Sequence, residues 1–341
     1  MQPLQALRRI AFLLERRQAS TYRVKAFRTA AGVVAAADPD DVAERSRRGT
    51  LRELTGVGEA TAAVITEAVA GDVPAYLQRL EDERAELVDL DDAGRRLLSA
   101  LRGDLHSHSD WSDGGSPIQE MAVTAVELGH DYLALTDHSP RLKVANGLTA
   151  ERLSRQLGVV DGLRERLVPF RLLTGIEVDI LDDGSLDQTP AILAELDLVV
   201  ASVHSKLAME SAAMTRRMLA AVRDPHTDVL GHCTGRLVTG GRGQRGQSAF
   251  DASAVFAECA ARGVAVEINC RPERQDPPDD LLTLAVQSGC LFSMDTDAHA
   301  PGQLDWRAYG VERAVRCDVP VERIVTTWAV DDLLGWTTRA R

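Results

Sequence analysis

Seven short apolar runs, each followed by a stretch with helical spacing, govern the last two thirds of this 341-residue chain. The runs are DLHSH, DYLALTDH, FRLLTGIEVDI, LDLVVASVH, TDVLGHC, VAVEINC and CLFSMDTDAH, separated by segments such as PIQEMAVTAVELG and AFDASAVFAECAARG. Strand-length runs alternating with amphipathic helices imply crossover connections, and so a parallel sheet covered on its faces. Seven successive units over about 225 residues, without a glycine-rich dinucleotide fingerprint, predict an α/β fold closed into a barrel rather than an open doubly wound sheet.

The front of the chain is of another kind. LQALRRIAFLLERR and AFRTAAGVVAAA carry apolar residues at helical spacing, and LRELTGVGEATAAVITEAV breaks once, at its glycines. This predicts a small all-helical domain over 1–80, a charged linker over 81–102 and the barrel over 103–341. With 45% hydrophobic residues the chain can bury a sizeable core, which excludes global disorder. No apolar run approaches the roughly 20 residues that span a bilayer, and the N-terminal stretch has no small-residue cleavage site, so a soluble, cytoplasmic protein is expected. Cys233, Cys259, Cys270, Cys290 and Cys317 form an odd set without a C-x-x-C, which reads as reduced, packing thiols.

The net charge of −12 is unevenly placed. Residues 1–37 hold Arg8, Arg9, Arg16, Arg17, Arg23, Lys25 and Arg28 against Glu15 alone; residues 1–80 balance at +3 and the remainder at −15. A basic module joined to an acidic one points to a polyanion contact at the front, with a solvated helix face as the alternative.

Six of the eight histidines fall where a strand reading ends: His106, His108, His138, His204, His232 and His299. In a parallel barrel the C-terminal strand ends converge on one face, so these side chains meet over one mouth. Asp113, Glu177 and Asp297 arrive there too. Imidazoles mixed with carboxylates, without cysteine, suit Zn, Mn or Fe in an open catalytic cluster. In extended chain, residues two apart share a face, so His106 with His108, and Asp297 with His299, can serve the same ion. His130 and His226 lie in connections and read as structural.

At GDLHSHSDWSDGG, ALTDHS, GIEVDI, SVHSKL, GHCTGR, EINCRPERQD and DTDAHA the chain resembles the polymerase and histidinol phosphatase (PHP) family over about residues 103–330. Within it, the chain is most similar to the PHP domain of bacterial family X DNA polymerases. RVKAFRTAA and LRELTGVGEATAAVI resemble the helical helix-hairpin-helix domain that opens those polymerases. The resemblance implies a distorted (β/α)7 barrel with three divalent metal ions, manganese, zinc or iron. Their ligands would be His106, His108, Asp113, His138, Glu177, His204, His232, Asp297 and His299, with Glu177 bridging two ions. No counterpart of the polymerase fingers, palm and thumb lies between about Leu87 and Asp92, so polymerisation is not expected. Departures from the family are Cys233 where proline is frequent, Asp295 where serine is common, and Glu59 where a basic residue is usual.

LTGVGEATAAVI matches a helix-hairpin-helix in which Gly56 and Gly58 allow a tight turn whose backbone N–H groups face a phosphate. Three divalent ions polarise phosphoryl oxygens and bring a water towards neutral pKa, as phosphoester hydrolysis by attack of an activated hydroxide requires. Glu177, His204 and Arg236 are expected to act on the reacting group, with Lys206 and Arg236 on its non-bridging oxygens. The expected activity is a metal-dependent phosphoesterase at DNA ends, in DNA repair: a 3′-phosphatase, 3′-phosphodiesterase or 3′-5′ exonuclease. The alternatives are a small-molecule phosphatase of the histidinol phosphatase type and a non-catalytic DNA-binding module.

Overall fold

The computed structural model describes residues 1–240 and 243–338, and the chain divides into two compact units between Glu86 and Leu87, with Pro301–Gln303 grouped with the first. The helical unit holds α1 (Pro3–Arg16), α2 (Thr21–Ala36), α3 (Pro39–Arg48), α4 (Glu59–Val69) and α5 (Ala75–Asp82). On α1, Leu7, Ile10 and Leu14 recur at helical spacing and are fully buried. α3 starts at Pro39 behind Asp38, whose carboxylate accepts from Asp40 N at 2.8 Å, and stops at Gly49 in the left-handed region. The turn into α4 needs a glycine at 56: φ is +96° and an added Cβ would lie 2.7 Å from Thr29 Cγ2.

The second unit begins with α6 (Asp92–Ala100), so part of the expected linker is a helix, capped by Asp91 and packed on α13 (below). Seven strands follow: β1 (Gly103–Asp104), β2 (Tyr132–Leu135), β3 (Arg171–Asp179), β4 (Leu198–Ser202), β5 (Val229–Leu230), β6 (Ala265–Asn269) and β7 (Leu291–Asp295). Between and after them run α7 (Ile118–Glu127), α8 (Ala150–Leu167), α9 (Pro190–Leu193), α10 (Ser211–Arg223), α11 (Ala252–Arg262), α12 (Asp279–Gln287), α13 (Arg307–Arg316) and α14 (Val330–Thr337). All neighbouring strands pair in parallel and in chain order. Each apolar run of the sequence thus supplies one strand of a nearly closed seven-stranded barrel.

Strand alternation splits the apolar residues into two sets. Tyr132, Ala134, Leu198, Val200 and Val229 form one buried cluster with Leu105 and Leu173. Their neighbours Val199, Ala201 and Leu230 join Met214, Met218, Val255 and Phe256 of α10 and α11 in another. The seam between β1 and β7 is closed beyond the strand ends, where Ser107 bridges Ala298 and His108 N donates to Ala298 O at 2.7 Å. Side chains tie it as well: Asp295 Oδ1 accepts from Leu105 N at 2.7 Å, and Asp104 Oδ2 accepts from Thr296 N at 3.1 Å. The unusual Asp295 therefore has a role in barrel closure. All five cysteines are buried and free, and among the described residues no helix is long and apolar enough to cross a membrane.

Candidate metal centre

The C-terminal ends of six strands deliver the nine expected side chains to one place. β1 is only two residues long, so His106 and His108 stand in the extended chain beyond it, held by the 107–298 bridge. The segment that follows is anchored by buried Asp137, which accepts from Ser109 N at 2.8 Å, Ser109 Oγ at 2.6 Å and Gln156 Nε2 at 2.6 Å. His138 follows β2, Glu177 lies within β3, His204 and His232 stand two residues past β4 and β5, and Asp297 and His299 follow β7. Asp297 takes a left-handed backbone at φ +51°, a strained conformation for a non-glycine residue.

Buried Glu177 is the hub. Its Oε1 lies 2.9 Å from His232 Nε2 and 3.2 Å from His204 Nε2; its Oε2 lies 2.8 Å from His138 Nδ1 and 3.3 Å from His106 Nε2. Asp297 Oδ1 is 3.4 Å from His108 Nε2, and Asp113 Oδ1 is 3.4 Å from His299 Nε2 and 3.5 Å from His138 Nε2. Four overlapping groups result in which the donor atoms lie within 4.8 Å of one another: His108, Asp113, His138 and His299; His106, Glu177 and His232; His106, His108 and Asp297; His138, Glu177 and His204.

Both oxygens of Glu177, His106 Nε2, both ring nitrogens of His108, His204 and His232, and His138 Nδ1 are sealed from solvent without a hydrogen bond among the described residues. Orphaned buried donors and acceptors are costly unless something else satisfies them, and a set of imidazole nitrogens around carboxylate oxygens fits divalent cations. The electrostatics agree. Burial alone would raise the Glu177 carboxyl, but His204, His106 and His138 hold it well below the usual range. Burial likewise opposes ionisation of Asp297, and Arg274, His106 and Arg271 override it. Burial pushes the His108 and His232 rings down, while His204 is raised to about 9, against its burial, by Glu177 and Asp179.

Four supporting residues escaped the sequence reading, although EINCRPERQD contains them all. Glu267 Oε1 accepts from His106 Nδ1 at 2.5 Å, which leaves His106 Nε2 as a lone-pair donor facing Glu177. Asn269 Nδ2 donates to Asp297 Oδ2 at 3.2 Å, and Arg274 Nε donates to the same oxygen at 3.0 Å. Arg271 Nη1 donates to Asp297 O at 2.9 Å, an oxygen also 2.9 Å from His299 Nδ1. Arg271 Nη1 also lies 2.9 Å from His299 Nδ1, so that ring nitrogen faces both the carbonyl and the guanidinium, while Nε2 faces Asp113. The available signal was the strand period, which puts Glu267 and Asn269 of β6 on the same face.

Two expected residues, Lys206 and Arg236, have protein partners of their own. Lys206 Nζ pairs with Asp182 Oδ2 at 2.5 Å, both largely exposed. Arg236 Nε donates to Arg274 O at 3.1 Å and its Nη2 to Gln275 O; its guanidinium buttresses the chain after β6. His130 and His226 also lie outside the cluster; His226 Nδ1 is 2.9 Å from Asp224 Oδ1. At the helical turn, Val57 N donates to Leu54 O at 3.0 Å and Gly58 N to Thr61 Oγ1 at 2.9 Å, so these two N–H groups are used internally.

The fold and the site together define a parallel seven-stranded barrel whose strand ends gather a buried donor set that fits divalent ions. Residues 104–271 match the PHP domain and residues 1–73 the helix-hairpin-helix domain. The chain thus carries a PHP domain with a helix-hairpin-helix domain in front. It is 37% identical over 242 residues to the DNA polymerase/3′-5′ exonuclease PolX of Bacillus subtilis (strain 168), covering 71% of this chain and 42% of PolX. It is 32% identical over 134 residues to a probable phosphatase of Thermoanaerobacter sp. (strain X514), covering 38% of this chain and 52% of that protein. The chain thus spans about half or less of the length of these relatives. A solved histidinol phosphate phosphatase from Lactococcus lactis, complexed with zinc, L-histidinol and phosphate, aligns with a TM-score of 0.44 at 18% identity, over 64% of this chain and 92% of that one.

Proposed function

We propose that the barrel hydrolyses phosphoester bonds at DNA ends, as a 3′-phosphatase, 3′-phosphodiesterase or 3′-5′ exonuclease. The observation that carries the reading is the buried cluster around Glu177, whose unsatisfied nitrogens and oxygens fit divalent ions. His106, His108, Asp113, His138, Glu177, His204, His232, Asp297 and His299 would hold those ions. When bound, such ions polarise phosphoryl oxygens and lower the pKa of water. The chain's own part is to orient the ligands: Glu267 orients His106, the Asp297 carbonyl and Arg271 hold the His299 ring by its Nδ1, and Arg274 with Asn269 leave only Oδ1 of Asp297 to the cluster. The helix-hairpin-helix domain and the similarity to PolX support DNA as the substrate.

One observation favours the second reading, a small-molecule phosphatase: the arginines of the helical unit are largely paired within it, which reduces the positive charge available to DNA. Similarity to a probable phosphatase supports the same reading. The test is to incubate manganese-loaded protein with labelled 3′-phosphate, 3′-hydroxyl and abasic oligonucleotides beside histidinol phosphate, and to rank kcat/KM. The DNA reading expects an oligonucleotide to lead and its turnover to fall as salt rises. A lead for histidinol phosphate without salt dependence on DNA overturns it.

A further inference from the structure

The guanidinium of Arg217 sits where the β3–β4 ladder runs out. The two strands pair in register as far as Asp179 opposite Ser202, and Ile180 N still donates to Ser202 O at 2.8 Å. Beyond that point the chains part, and the second carries His204, whose Nε2 lies 3.2 Å from Glu177 Oε1. Arg217 of α10, only 1% exposed, spans the gap. On the β3 side its Nε donates to Ile180 O at 3.0 Å and Leu181 O at 2.9 Å, and its Nη2 to Ile180 O. On the β4 side its Nη1 donates to Ser205 O at 2.9 Å and its Nη2 to Ser205 Oγ at 3.3 Å. Ser205 directly follows His204, whose own N donates to Asp179 Oδ1 at 3.1 Å, so the ligand is tied on both sides. Among the described residues Arg217 forms no ion pair with a carboxylate. A cation buried against carbonyls and a hydroxyl is costly, and what it supplies is geometry: a planar fork with fixed N–H directions sets the separation of two segments as a flexible ammonium cannot.

We propose that Arg217 is a positioning residue for His204: by tying the chain after β4 to the chain after β3 it sets the reach of the imidazole to Glu177, and with it the donor group of His138, Glu177 and His204. The group of His106, His108 and Asp297 shares no residue with that one and does not depend on Arg217. The proposal rests on the metal reading of the cluster. Lysine separates position from charge, because it keeps the cation and loses the fork.

The test withdraws zinc from the loaded full chain with a graded chelator, and records histidine nitrogen NMR spectra on the metal-free protein. In Arg217→Lys one class of ion should be lost about 10- to 100-fold more easily while the remainder leaves as in the wild type. In the metal-free variant the His204 ring signals should move and those of His299 should stay. Arg217→Met should show both effects more strongly, and Arg217→Lys supplies the same readings if the methionine variant does not fold. Arg216→Gln, at the exposed neighbouring position, should behave as the wild type in both measurements. Wild-type withdrawal of every ion, equal weakening of all ions, or unmoved His204 signals in Arg217→Lys would each overturn the assignment. If the His204 signals move as expected but the wild type holds no divalent ion, the positioning role stands and the metal reading falls. If the wild type holds its ions and Arg217→Lys holds them equally well, the reverse is true.

Discussion

Charge is used in opposite ways in the two units. In the helical unit Arg9 meets Glu81 at 2.6 Å, Arg17 meets Glu83 at 3.0 Å, Arg28 grips Glu15 with two bonds of 2.7 Å, and Arg16 and Arg23 bond the Ala85 carbonyl and the Tyr76 hydroxyl. Of the seven basic side chains that made the front look like a polyanion site, Lys25 stands exposed without such a bond to any of the described residues. In the acidic barrel the reverse holds: buried imidazoles and carboxylates converge and remain unsatisfied. A count of charges along a sequence therefore does not show which of them are paired, and paired charges hold a fold together whereas unpaired buried ones mark chemistry.

The sharpest way to break this contrast is at the hub. Glu177→Gln should lower phosphodiester turnover by about a thousandfold or more and reduce the bound divalent ions, with thermal stability preserved; elemental analysis and steady-state kinetics decide, and unchanged activity would remove the hub from the chemistry. In the helical unit the matching change is Arg28→Ala, which leaves the buried Glu15 carboxylate without its cation and should destabilise that unit by about 3 kcal/mol. Chemical denaturation followed by circular dichroism measures this, and turnover of a small chromogenic diester should not move. Glu267→Gln should weaken metal binding about 10- to 100-fold, as loss of a group that orients a ligand does, which a competing chelator can titrate.

The smallest expected effect concerns pH. Burial pushes the Asp104 carboxyl up to about 6 and also raises Asp295, which Asp104 opposes with like charge. A carboxyl whose pKa is raised by folding holds its proton better in the native state, so its stabilisation is full below about pH 4 and is lost as pH rises through about 6. Asp295→Asn keeps an acceptor for Leu105 N and removes the repulsion. Metal-free protein should then be about 1–2 kcal/mol more stable than wild type at pH 7, with little difference at pH 4; denaturation curves at the two pH values check it, and equal losses at both would refute it.

The sequence by itself determined the alternation of seven apolar runs with helices, the all-helical front and the nine side chains at strand ends, because periodicity and strand-end position are local properties written in order along the chain. Tertiary structure alone decided which charged groups are free. Arg236 and Lys206 stand close in sequence to His232 and His204, yet turn to the chain after β6 and to Asp182, whereas Arg271 and Arg274 reach Asp297 from a different strand. Pairing partners such as Arg9 with Glu81, or His106 with Glu267, are separated by 72 and 161 positions. Their meeting depends on how helices and strands pack, and no local pattern carries that information.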